Sequence, residues 1–197
     1  MVRVIIETGR KRTFACSLDW PGWCRSGKTE EQALATLAAY APRYAVVARE
    51  AGQTPPEAAR FEVVERLSGD ATTDFGAPAA IAAADHAALP PPEADRLARL
   101  LEAAWTVFDR VVAGAPDELR KGPRGGGRDR DSIVDHVRGA EEAYARRLGL
   151  VGRASRTEIA SALRSGLQGH WPARYAARRL AWHVLDHVWE IEDRSPT

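Results

Sequence analysis

Leu180-Ala181-Trp182-His183-Val184-Leu185-Asp186-His187-Val188-Trp189-Glu190-Ile191 is the stretch whose reading decides how the second half of this chain folds. Leu180, Val184 and Ile191 recur at helical spacing and predict an amphipathic helix. That helix starts at Pro172 and runs to about Arg194. His183 and His187 lie beside the apolar stripe, not opposite it. Four residues are just over one turn, so both imidazoles leave the same face, with Cα atoms about 6 Å apart along the axis.

Upstream, every periodic segment from Glu93 onward is helical. Leu97, Leu100, Leu101, Ala104, Phe108 and Val111 form one stripe of a first helix, Glu93 to about Ala113, with proline before it and Gly114 after it. A loop rich in arginine and glycine covers Pro116 to Arg130. A second helix runs from near Ser132 to Gly149. Ser155-Arg156-Thr157-Glu158 is a capping box that opens a third, ending near Gly166 or Gly169. Four helices with short connections predict an antiparallel four-helix bundle over residues 93–197.

The first 70 residues read differently. Val2-Arg3-Val4-Ile5-Ile6 and the segment from Thr13 to Leu18 are strand-like, separated by the turn signal Gly9-Arg10. After Pro21-Gly22, Thr29 can cap a helix that continues towards Glu50, with Gln32 reaching back to the cap's own N–H. Pro42 kinks or splits that helix, Gly52 stops it, and Phe61 to Leu67 is a last strand. Residues 71–92 are rich in alanine and proline and read as a linker with one short helical turn. The expected class is therefore α+β: a small N-terminal ββ(β)αβ unit, a linker and a helical bundle.

The second helix carries Ile133, His136/Val137, Ala140 and Tyr144 on its inward stripe, so His136 also points into the bundle. Helical bundles build metal centres from side chains on facing helices. An isolated His-x3-His pair on a helix is common and usually has no such role; a third histidine on a facing stripe changes that. His136, His183 and His187 are the candidate ligands of one divalent ion, with a position left open for water or substrate. No cysteine lies in these helices, which disfavours a soft thiolate site. Zinc or nickel suits the donors best, and iron or manganese is admitted. Asp135, Glu141, Asp186 and Glu190 are near enough to support a ligating imidazole through its second N–H. His86 and His170 are read as non-ligands.

The totals add exclusions. A net charge of +1 demands no polyanionic partner. No run approaches the roughly 20 apolar residues of a membrane span. MVRVIIETGRKRTF does not read as a signal peptide, so the expected address is the cytoplasm. Cys16 and Cys24 fit no common zinc pattern and are expected as free, half-buried thiols.

Asp135-His136-Val137 with Ala140-Glu141, and His183-x3-His187 followed by Trp189-Glu190, resemble the DinB-like superfamily of metal-binding four-helix proteins. The resemblance covers roughly residues 93–194. It implies one divalent metal on one histidine of the second helix and the His-x3-His pair of the last. Some members resemble S-transferases and isomerases that use bacillithiol, mycothiol or glutathione. Residues 1–70 are similar to the HicB-like antitoxin domain, through Phe14-Ala15-Cys16-Ser17-Leu18-Asp19-Trp20-Pro21-Gly22-Trp23 and Gly27-Lys28-Thr29-Glu30-Glu31-Gln32-Ala33-Leu34. Gln32 stands where that family has an acidic residue, and no DNA-binding element follows.

Three functions stay open at this point. One is a metal-dependent S-transferase or hydrolase, working on a small-molecule thiol and an electrophile, with Arg120, Arg124, Arg128 and Arg130 steering an anionic cosubstrate. Another is a metal-binding stress or sensor protein without turnover. The third is a binding module for protein or nucleic acid, using Trp20, Trp23, Arg25 and Lys28 of the N-terminal unit; nucleic acid is the less expected partner. Trp105, Trp171, Trp182 and Trp189 either wall a pocket or pack the core. Homodimerisation through such tryptophans is an open expectation.

Overall fold

The structure, a computed structural model, describes residues 1–56, 60–122, 126–167 and 169–196. It is a mixed α+β fold with one four-stranded sheet at the N-terminus, and seven α-helices among the described residues. Strands β1 (Val2–Thr8), β2 (Thr13–Ser17), β3 (Cys24–Gly27) and β4 (Phe61–Ser68) lie in the order β3-β2-β1-β4. β2 pairs antiparallel with both β1 and β3, and β4 returns parallel to β1. The helices are α1 (Glu30–Ala39), α2 (Ala41–Glu50), α3 (Ala71–Phe75), α4 (Pro91–Gly114), α5 (Arg130–Leu148), α6 (Arg156–Arg164) and α7 (Ala173–Arg194).

β1 is buried on both faces, and its alternation assigns each residue to a side. Val2, Val4 and Ile6 join the main core with Trp23, Leu37 and Tyr44. Ile5 points the other way, into a smaller cluster with Phe14, Ala82 and Trp182. The main core does not stop at the sheet. It runs on through Leu97, Leu101 and Phe108 of α4, Ile133 and Val137 of α5, and Leu180, Val184 and Leu185 of α7. α4 packs on α7, α6 and α2, and α5 packs on α7. No helix of the described residues is long and apolar enough to cross a membrane.

Local signals act much as the sequence predicts. The Thr29 hydroxyl accepts the Gln32 N–H at the start of α1. Gln32 reaches back one residue further than expected, its Oε1 accepting from Lys28 N–H. The expected single helix is split at Tyr40, with Pro42 in the first turn of α2. There the missing N–H costs no hydrogen bond. Ser155 and Glu158 form the capping box of α6.

Two expectations need correction. Cys16 and Cys24 are not free: they form a disulfide. The β2–β3 register places them directly opposite each other, with Cα atoms 4.0 Å apart. That closeness depends on how residues 18–23 turn, which the eight-residue spacing does not reveal. Residues 71–92 hold more than one short turn: α3 and a 3₁₀ turn, Ala83–His86. The segment is also tied down at both ends. Buried Glu7 of β1 accepts hydrogen bonds from Thr73 Oγ1 and the backbone N–H groups of Ala79 and Ala80. Asp85 forms an ion pair with Arg178 of α7 in which both side chains are almost wholly buried (1% and 8% exposed).

A buried ion pair is far more costly to break than to replace. Asp85→Ala leaves the Arg178 charge uncompensated and is expected to lower unfolding free energy by about 3–5 kcal/mol. Asp85→Leu combined with Arg178→Met should recover most of that loss. Urea denaturation of wild type and the two variants checks both statements.

Candidate metal centre

α7 brings His183 and His187 to one face, as their spacing predicts, and both are buried. α5 supplies His136. Its most deeply buried line is Ile133, Val137, Ala145 and Leu148, so His136 sits at the edge of that line and is half-buried. One ring nitrogen of each histidine lies within 4.8 Å of the other two. The Nε2 atoms of His136 and His183 face each other at 3.1 Å. The ring centres of the three imidazoles are 4.8–5.0 Å apart.

Burial disfavours the imidazolium form, and crowding of three such rings adds to it. The His183 pKa is pushed down to about 2, first by burial and then by the neighbouring His187 and His136. His136 is lowered too, by burial first, with His187 and the Arg128 charge contributing. Neutral imidazole is the form that ligates metal.

Of the four predicted supporting acids, the structure brings one to a histidine. His187 Nδ1–H donates to Glu190 Oε2 at 2.7 Å, and Arg194 holds the other carboxylate oxygen at 2.6 Å. The bond from His187 comes first among the causes that hold the Glu190 carboxyl below its usual range. A donor at Nδ1 leaves the lone pair of His187 on Nε2, the atom free to ligate. Glu141 is buried but turns away, into a groove between α4, α5 and α6, where Arg156 clasps it at 3.0 Å. Asp186 pairs with Arg25 of β3 at 2.8 Å. Asp135 is exposed.

The donor set fits a divalent ion. Three imidazoles converge from two packed helices, and one of them is oriented by a carboxylate. Metal–nitrogen bonds of about 2.0–2.1 Å require nitrogen separations of roughly 3–4 Å; the His136–His183 pair stands at 3.1 Å, and all three donor nitrogens lie within 4.8 Å of one another. The three histidines can therefore hold a metal ion. His86 and His170 are both exposed and take no part. No family model, curated protein or solved structure matches the chain. The site is therefore read from its own residues.

The other predicted residues are dispersed. Arg120 bonds the Asp193 carbonyl and Arg130 pairs with Asp117 and Asp131. Arg128 is exposed and its charge reaches His136 and His183; Arg124 lies outside the described residues. Trp23 is wholly buried, stacked on Tyr44, and cannot stack on a base. Arg25 is held between Asp186 and the Tyr40 ring. Trp105 packs beneath Arg156, and Trp189 against Tyr40. Trp182 and Trp171 lie nearer the histidines: Trp182 is 6.1 Å from the His183 ring, and Trp171 packs on Tyr144. Sequence reasoning missed the part played by Tyr144, whose ring stands edge-on to His183 at 5.6 Å. It also missed Arg179, one turn before His183. Its i−4 position was the available signal.

The depressed His183 pKa sets a pH dependence. Its folded value lies below the unfolded value of about 6.5, so the unfolded state takes up a proton that the folded state refuses. Stability from this group is complete above pH 6.5 and declines as pH falls below it. Between pH 7.5 and 5.5 the chelator-treated protein should lose on the order of 1 kcal/mol through His183. Urea titrations of wild type and His183→Gln at both pH values test this; an equal loss of unfolding free energy in the two proteins would contradict it.

Proposed function

We propose that this chain is a DinB-like metalloprotein, with helices α4 to α7 as its four-helix bundle. In this reading His136, His183 and His187 hold one divalent ion, zinc or nickel before iron or manganese. The centre serves S-transfer from a low-molecular-weight thiol or a hydrolysis. The observation that carries the reading is the convergence of three imidazoles from two helices, one of them locked by Glu190. A divalent ion bound there would supply the Lewis acidity that makes a coordinated thiol or water nucleophilic at neutral pH.

The chain's own residues have definable tasks. His183 is kept neutral by burial and so is ready to ligate. Glu190, itself braced by Arg194, holds the proton of His187 on Nδ1. Tyr144 and Trp182 pack on His183, and Trp171 packs on Tyr144 behind it. The HicB-like N-terminal unit backs α7 from the far side. Its Pro21-Gly22 turn lies so close that a Cβ on Gly22 would come within 2.6 Å of Leu185 Cδ1. Gly22 also has a φ of +89°, which a side chain would strain.

Elemental mass spectrometry of untagged protein is expected to find about one divalent ion per chain, as one three-histidine site requires, and His183→Ala should lose it. Glu190→Gln should keep the ion but bind it roughly 10–100-fold more weakly. If wild type stays metal-free after exposure to zinc, nickel, manganese and iron(II), the three histidines are core packing and the reading fails. With metal present, thiol consumption with an electrophile separates S-transfer from hydrolysis.

A further inference from the structure

α5 and α7 meet along two antiparallel rows of side chains. His136, Ala140 and Tyr144 stand one turn apart on α5; Arg179, His183 and His187 stand one turn apart on α7. The contacts run in order along the seam. His136 meets His187 and His183, Tyr144 meets His183, and Tyr144 then meets Arg179. The α5 row is half-buried, which gives the seam an open side, and Ala140 at its middle adds only a methyl group.

Arg179 ends this seam in an unusual state. Its guanidinium carbon lies 4.6 Å from the Trp182 ring centre and 5.2 Å from that of Tyr144. The residue is 8% exposed, and its Nη1 is buried with no hydrogen-bond partner. No carboxylate among the described residues pairs with it, whereas its neighbour Arg178 has Asp85. Two aromatic faces offset part of the charge, but they offer its N–H groups no acceptor. A buried cation in that condition is destabilising unless an anion reaches it.

The charge of the whole seam points the same way. The three imidazoles bring no negative charge, and Arg128 adds positive potential from outside. Glu190 is already engaged by His187 and Arg194. A divalent ion would add two more positive charges with no acidic ligand to balance them.

We infer that Arg179 is an anion-binding residue, and that the molecule reacting at this centre is a small carboxylic acid with its carboxylate on Arg179 and its reacting end among the three histidines. A planar carboxylate matches the guanidinium fork with two parallel N–H···O bonds and one unit of charge. The inference rests on the metal-centre reading above, and its test keeps the two apart.

The test uses cobalt(II)-loaded full-length protein, titrated with 3-mercaptopropionate and with its neutral amide. Sulfur-to-cobalt charge-transfer absorption reports binding. Wild type should bind the acid at least about tenfold more tightly than the amide, the scale of a charge-assisted hydrogen-bonded pair. Arg179→Met should abolish that preference while cobalt content and amide affinity stay unchanged; Arg179→Lys should keep part of it. Equal wild-type affinity for acid and amide overturns the inference whether or not the variants fold, and leaves the metal centre standing. Tighter binding of 2-mercaptoethyl phosphate than of the acid overturns the carboxylate class. Failure of wild type to take up cobalt overturns the metal centre, and the inference with it.

Discussion

α7 is covered on nearly every side, and the rest of the molecule is arranged around that constraint. From Tyr175 to Trp189 only Asp186 escapes burial. The sheet and its Pro21-Gly22 turn press on one face, α4 on another and α5 on a third. Yet this helix carries two arginines and two histidines among its buried residues. Each polar group in such a place needs a partner or an unusual protonation state. Arg178 has Asp85, His187 has Glu190, and His183 stays neutral. Arg179 and the Nδ1 of His183 are the groups left without one.

The N-terminal unit takes its place from the same constraint. Arg25 and Arg43 reach across to Asp186, Glu192 and Asp193 of α7, and the Arg25 and Arg43 guanidinium groups lie over the Tyr40 and Trp189 rings. Arg25 and Trp23, two of the four residues weighed for a nucleic-acid surface, are thus engaged in internal contacts. Segment 71–92 closes the other side of the sheet, with Ala82 beside Ile5, Phe14 and Trp182. The continuous core means that the sheet buttresses the helix bearing two of the three histidines.

Much of this was legible in the residues before any coordinates. Helical periodicity placed α4, α5 and α7, because an apolar stripe has one stable solution, burial against a neighbour. Capping residues marked α1 and α6, because hydroxyl and carboxyl groups at those positions satisfy local N–H groups and need nothing distant. His183 and His187 shared a face for the same local reason. Residues 71–92 read as a linker with one short turn because alanine and proline carry no periodicity; the bonds that hold the segment come from Glu7 and Arg178, far away in sequence.

By itself, then, the sequence determined what depends on neighbours within one or two turns: the helices, their ends, and the pair of imidazoles on α7. Tertiary structure alone decided which distant groups meet. It set His136 at 3.1 Å from His183, chose Glu190 over Glu141, Asp135 and Asp186 as the histidine's support, and joined Cys16 to Cys24. It also left Arg179 without an acid. The physical reason is that helix formation is governed by local spacing and caps. Partner choice among buried charges depends instead on packing, which brings together residues dozens of positions apart and excludes the water that would otherwise serve them all equally.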